Sequence, residues 1–258
     1  MAAALLDQIE QDALDSTTNL ADALRKCIAL GSRAGSEELR GWARRELDGY
    51  VGAGDRVPEY RKVVAPIVID AFTQGGRIER QPVTVFDLPD VVRKSGITEE
   101  LTLRDGVGTL ETMKADGFAK HEAIRLGLPE SPIIAKLMND HLRGTGQYVE
   151  RVYWNVSPIA IDGVLDQIRT RLVDLVAEIR ATEGNTATPS AEAVENAVHV
   201  VVYGDKSRVN VRAAQAGGTT TTVAPQAERS WWRTAQGIGV IGVATVALAV
   251  FAWLEWAG

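Results

Sequence analysis

At 258 residues, 45% hydrophobic and 24% charged, the chain is long enough to bury a proper core and too apolar to be disordered throughout. Its net charge of −6 argues against the basic surface of a nucleic-acid binder, so no nucleic-acid partner is expected. The single cysteine, Cys27, excludes an intrachain disulfide framework and fits a reducing compartment.

The first fifty residues read as helices. Leu5, Leu6, Ile9 and Ala13 recur at helical spacing, and Leu20, Leu24, Cys27 and Ile28 repeat the pattern after Ser16, with Gly31 closing the second helix. Ser36 followed by Glu37 and Glu38 is an N-cap and acidic first turn for a third helix carrying Leu39, Trp42, Ala43 and Leu47. Cys27 lies in an apolar stripe and reads as a core residue.

Beyond Pro58 the pattern changes. Val63 to Phe72 is rich in β-branched residues, and Gly75-Gly76 separates it from a second run at Ile78 to Val85, which predicts two strands around a tight turn. Pro66 predicts an edge position for the first of them. Residues 86–145 show only short helical pieces, at Asp90 to Lys94 and Ile133 to Leu142. Tyr148 to Val156 reads as a strand. Ser157-Pro158 then opens a long amphipathic helix with Ile161, Val164, Leu165, Ile168, Leu172, Leu175, Val176 and Ile179 on one stripe.

Residues 183–197 read as a linker. Val198 to Tyr203 and Arg208 to Arg212, either side of Gly204-Asp205, predict a β-hairpin over 198–212 with Val200, Val202, Val209 and Val211 as pairing positions. A lone hairpin is marginal in water, so it needs a partner, either the main sheet or other copies of the chain. Residues 213–230 are rich in Ala, Gly, Thr and Gln and read as a flexible tether.

Gly237 to Leu254 is an 18-residue run without a charged side chain, the length of a membrane-spanning helix. Trp231, Trp232, Trp253 and Trp256 bracket it within 231–256, where aromatic rings favour the headgroup boundary. Arg229 and Arg233 precede the run and only Glu255 follows, which predicts a single-pass protein of the bacterial inner membrane with its N-terminal domain in the cytoplasm. Met1 to Asp7 carries no basic leader to compete with it. Ala235, Gly239, Gly242, Thr245, Ala249 and Ala252 share a broad face of small residues, the kind that lets membrane helices pack closely, so a homo-oligomer in contact with inner-membrane lipid is expected.

The chemistry-bearing patterns point away from catalysis. Gly237 to Gly242 matches GxGxxG by letter but lies inside the apolar run, without the strand and acidic residue that a dinucleotide site requires. His121-Glu122 begins like a zinc-protease helix, yet Arg125 stands where the second histidine belongs. Three histidines (His121, His141, His199) leave little for a metal centre. Asp162, Asp166 and Asp174 lie beside Arg169 and Arg171 and read as a salt-bridged face rather than nuclease carboxylates. No catalytic residue, metal or cofactor is expected.

Five segments in order resemble the AbiTii domain of bacterial abortive-infection proteins. They are Leu5 to Ile9, Leu39 with Trp42, Glu46 to Tyr50, Pro58 to Arg61, and Gly163 to Arg169. The resemblance implies antiphage defence over residues 1–182, without supplying catalytic residues, and leaves room for a phage or operon-encoded protein partner. The expected fold is α+β: an N-terminal helical bundle packed with a small antiparallel sheet and a long amphipathic helix, then the hairpin and one C-terminal transmembrane helix.

Overall fold

The computed structural model describes residues 3–204, apart from 185 and 187. Helices α1 (Ala3–Leu14), α2 (Leu20–Ala34) and α3 (Glu37–Asp48) come first. Asn19 caps α2 by accepting from the Ala21 N–H at 2.8 Å, and Ser36 caps α3 by accepting from Leu39 N–H at 3.2 Å. Gly31 does not close α2. The helix continues to Ala34 and ends at Gly35 in the left-handed conformation.

A 3-10 turn (Glu59–Arg61) leads into β1 (Lys62–Val64), followed by β2 (Ile67–Thr73), β3 (Gly76–Val83), α4 (Asp90–Lys94), β4 (Glu100–Thr102) and α5 (Val107–Lys120). Then come β5 (Ile124–Gly127), α6 (Ser131–His141), β6 (Tyr148–Val156), α7 (Pro158–Glu183) and α8 (Ala191–Tyr203). Strands β3-β2-β6-β5 form one antiparallel sheet, and β1-β4 a second, two-stranded one. The α+β architecture is the expected one, with the predicted β2–β3 turn at Gly75-Gly76.

Pro66 has a different role from the one its sequence context predicts. β2 is an inner strand, and Pro66 precedes it, at the point where the chain leaves the β1-β4 sheet for the larger one. There its missing N–H costs nothing, while its carbonyl accepts from Asn155 N–H at 2.9 Å. The edges are β5 and β3, and β3 itself contains Pro82. β6 extends past β5, and the Asn139 carboxamide of α6 serves that stretch by accepting from Val149 N–H at 2.7 Å and donating to the Val149 carbonyl at 2.9 Å.

The core is continuous from α1 to α8. α7 packs against α1, α5 and α8, and its Ile161, Ile168, Leu172, Leu175, Val176 and Ile179 are fully buried. At roughly 1.5–3 kcal/mol for each such side chain, this stripe is the main apolar contribution of a single element. Arg169, on the same helix, donates to the carbonyls of Asp12, Asp15 and Thr18 at 2.7–3.2 Å and so fixes the α1–α2 connection.

Residues 198–203 are not a hairpin arm. They are the second half of α8, so the linker is shorter than 183–197 and the paired role of Val200 and Val202 falls away. Ala193, Val194, Ala197, Val198, Val201 and Val202 bury one helical face against the core, and this burial overrides the β preference of the valines. Ser190 caps the helix through Ala193 N–H, and Gly204 ends it in the left-handed conformation. Val209 and Val211 lie outside the described residues, as do the tether and the 231–256 segment. Among the described residues no helix is long and apolar enough to cross a membrane.

Two glycines set how closely α3 meets the loop before α5. A side chain on Gly49 would begin 2.8 Å from the Arg104 carbonyl oxygen, and Gly49 also has φ +93°. A side chain on Gly106 would begin 2.1 Å from the Leu47 carbonyl oxygen, closer than any contact can be.

Candidate functional site

Two buried carboxylates organise the polar groups of this domain. The first is Glu46 on α3, fully buried with Arg61. Arg61 donates to Glu46 from Nη2 at 2.5 Å and from Nε at 3.2 Å, and from Nη1 to the carbonyls of Leu103 and Asp105 at 2.9 and 2.7 Å. Tyr50 and Tyr60 donate their hydroxyls to Glu46 at 2.6 and 2.8 Å, and Trp42 Nε1 donates to the Tyr60 oxygen at 2.9 Å. The Arg61 guanidinium also lies 4.8 Å from the Tyr50 ring centre.

Burial, followed by the Glu46 charge, pushes the Tyr50 and Tyr60 phenols well above their usual range. Burial opposes the Arg61 charge, but the attraction and hydrogen bonds of Glu46, with lesser contributions from Tyr50 and Tyr60, raise its pKa overall. Trp42, Glu46, Tyr50, Tyr60 and Arg61 all come from the segments that carry the family resemblance. Those scattered signals therefore meet in one network that ties α3 to the 3-10 turn and to the loop before α5.

The second carboxylate is Asp70 on β2, at a double irregularity of the sheet. Glu79 and Arg80 together stand opposite it on β3, and Glu150 is the extra residue on β6. Arg80 is held at φ +55°, a conformation that costs about 1 kcal/mol or more for a residue with a Cβ. Asp70 Oδ1 accepts from Arg80 N–H at 3.0 Å and from the Tyr153 hydroxyl at 2.8 Å. Its Oδ2 is buried and has no hydrogen-bond partner. Arg151 Nε and Arg125 Nη1 approach Oδ2 to 3.5 and 3.9 Å, ion-pair range but beyond good hydrogen bonds.

Asp70 is 0% exposed, whereas the Arg125 and Arg151 side chains are 37% and 48% exposed, so the arginines roof the carboxylate and face solvent. Burial pushes the Asp70 pKa up. The Arg80 N–H, the Tyr153 hydroxyl and then the two guanidinium charges outweigh it, and the carboxyl sits below the ordinary aspartate range. Burial, then the hydrogen bond to Asp70, pushes the Tyr153 phenol up. Arg125 also stacks over the Tyr153 ring at 5.6 Å.

Beside this cluster opens a cleft of about 520 Å³ between the end of α5 and the start of α7, lined by Val64, Phe118, His121, Glu122, Asn155 and Ile159 among others. Asn155 Oδ1 is buried there without a hydrogen-bond partner. His121 ends α5 in the left-handed conformation, and Arg125 lies in β5, so the zinc-protease spacing does not fall on one helix. Among the described residues no group of three or more His, Cys, Asp or Glu side chains could hold a metal. Cys27 is fully buried, and burial, then the Asp12 charge, pushes its thiol far up. Of the salt-bridged face the sequence predicts, Asp174 pairs with Arg171 at 4.0 Å, whereas Asp162 pairs with Lys114 of α5 at 3.0 Å and Arg169 turns to the α1–α2 carbonyls.

Of the sequence-predicted site residues, only Val200 and Val202 are among the described ones, and both belong to α8. Trp231, Trp232, Arg233, Trp253, Trp256 and the small-residue face from Ala235 to Ala252 lie outside them. The Asp70 cluster was missed because its members come from β2, β3, β5 and β6. Its one linear signal is a carboxylate in the middle of the β-branched run from Val63 to Phe72.

These features define an α+β domain held by a buried carboxylate–guanidinium network, with an arginine-roofed carboxylate on its sheet. The chain belongs to the AbiTii family, whose profile matches residues 4–202. Membership implies abortive-infection antiphage defence. No curated protein and no solved structure matches the chain significantly.

Proposed function

We propose that this protein is a membrane-anchored effector of abortive infection that self-associates and perturbs the inner membrane, with its AbiTii domain in the cytoplasm. The observation that carries this reading is the coexistence of an AbiTii domain over residues 4–202 with an uncharged 18-residue run at Gly237 to Leu254. Self-association rests on the small-residue face from Ala235 to Ala252, since the hairpin that offered a second reason is partly helix α8. One uncharged helix offers no ion path, so membrane damage requires several copies.

Membrane potential, read by dye fluorescence in phage-challenged cells, tests this. Depolarisation with the full chain, and none with a chain stopped after Ser230, is the expected result. Protection that depends on the apolar run but leaves the potential unchanged would overturn membrane attack and make the run an anchor for a sensor that recruits a separate toxic partner. Crosslinking that finds only monomers before and during infection would overturn self-association.

A further inference from the structure

The Asn155 cleft and the arginines over Asp70 are neighbours on one face of the sheet. Asn155 and Arg125 are direct cross-strand partners, and such pairs project to the same side with their Cα atoms about 4.5–5.5 Å apart. Tyr153, two residues before Asn155, shares that side and lies under Arg125, which reaches Asp70 in turn. A single ligand can therefore contact the cleft and the arginine pair together.

The two halves ask for different chemistry. No lysine or arginine lines the cleft, and the first-turn N–H groups of α7 at its rim are already occupied, Ile159 by Ser157 Oγ and Ala160 and Ile161 by the Ser157 carbonyl. An anion has no seat there. Phe118, Val64 and Ile159 are 46%, 75% and 71% exposed and supply apolar walls, while the Asn155 carboxamide offers an acceptor with no partner. Apolar walls with one amide, beside His121 and a Glu122 already paired with Arg80, suit a flat, uncharged heterocycle that presents a donor beside an acceptor, the pattern by which Asn reads a nucleobase edge.

At Asp70 the groups open to a ligand are donors. Arg80 is engaged by Glu122 at 2.8 Å, and Arg77 is shared between Glu79 at 3.3 Å and Glu150 at 3.1 Å, with Glu150 also touching Arg151 at 3.6 Å. Arg125 and Arg151 approach Asp70 only at distances that leave their N–H forks unsaturated and partly open to solvent. Planar forks of this kind pair with phosphate oxygens in two-point fashion. The buried Asp70 acts as a positioning residue that holds both arginines on the sheet.

We propose that Asn155, Arg125 and Arg151 form one binding site for a nucleotide, with the base against the Asn155 carboxamide in the cleft and the phosphate on the two guanidinium groups. This goes beyond the membrane reading and does not depend on it, because binding is measured on the purified chain without a membrane-potential readout.

The test is calorimetric titration of the full chain, in mild detergent, with each of the four nucleoside 5′-monophosphates, the matching nucleosides and inorganic phosphate. At least one monophosphate is expected to bind saturably and about tenfold or more tighter than its nucleoside or phosphate alone. Asn155→Ala and Arg125→Gln should each weaken it about tenfold, and Arg125→Lys should not restore it, because an ammonium lacks the fork. Arg151→Gln, at a half-exposed side chain, serves as a second variant should Asn155→Ala fail to fold. No saturable binding of any monophosphate would overturn the proposal. So would a nucleoside or phosphate that binds as tightly as the nucleotide, or affinity unchanged in the variants.

Discussion

Glu46 and Asp70 are both fully buried carboxylates served by arginines, yet they are built differently. Glu46 has both oxygens engaged by Arg61 and two tyrosine hydroxyls, and neither it nor Arg61 has a buried atom without a partner. Asp70 keeps one buried oxygen without a hydrogen bond, beside a strained Arg80 and under two solvent-facing arginines. A complete network holds a fold, because every desolvated group regains its bonds inside. An incomplete one at a sheet irregularity retains capacity for something external.

The most severe way to break this comparison is Glu46→Ala, which leaves the Arg61 charge buried without its partner. It is expected to cost about 3–5 kcal/mol in urea denaturation of the full chain, enough to leave little folded protein. A loss below about 1 kcal/mol would show that the network is not what holds α3 to the β4–α5 connection. Tyr60→Phe is gentler. It takes one bond from Glu46 and leaves Trp42 Nε1 without an acceptor, with an expected cost of about 1–3 kcal/mol by the same assay.

On the other side of the comparison, Arg125→Gln should lower stability by less than about 1 kcal/mol, because the side chain is over a third exposed and its ion pair is long. A loss above about 2 kcal/mol would make the Asp70 cluster a second structural network.

The smallest effect is a pH dependence. The folded-state pKa of Asp70 is depressed, so its contribution is present above the ordinary aspartate range and is lost as pH falls through the lower, folded value. The stability difference between wild type and Asp70→Asn, followed from about pH 6 to about pH 3, should therefore shrink on acidification. A difference that widens would contradict the sign.

Much of the scaffold is legible in the sequence. The caps at Ser36 and Ser157, the stripe from Ile161 to Ile179 and the Gly75-Gly76 turn act locally, so spacing and turn chemistry reveal them. α8 was not legible, because its valines favour strands when taken one at a time, and only the face they bury shows the helical period. The cue was present in Ser190, Glu192 and Gly204, a cap, an acidic first turn and a left-handed stop. α5 gave a weak pattern because it buries only Val107, Leu110 and Gly117.

The Asp70 cluster depends on pairing across the sheet. Asp70 and Tyr153 are 83 residues apart, and Arg80 and Arg125 reach Asp70 only through the registers of β3 and β5. The segments behind the family resemblance were legible one by one, but not the convergence of Trp42, Tyr50, Tyr60 and Arg61 on Glu46.

Gly106 sets a limit on how this sequence can drift. Any side chain there collides with the Leu47 carbonyl at the end of α3, and relief means moving the neighbouring Asp105 carbonyl off Arg61. A mutation at this glycine would thus act on a charged pair it never touches. In a library of random variants selected for soluble expression, position 106 should tolerate fewer replacements than Glu46 itself, where Gln keeps the shape and one oxygen acceptor.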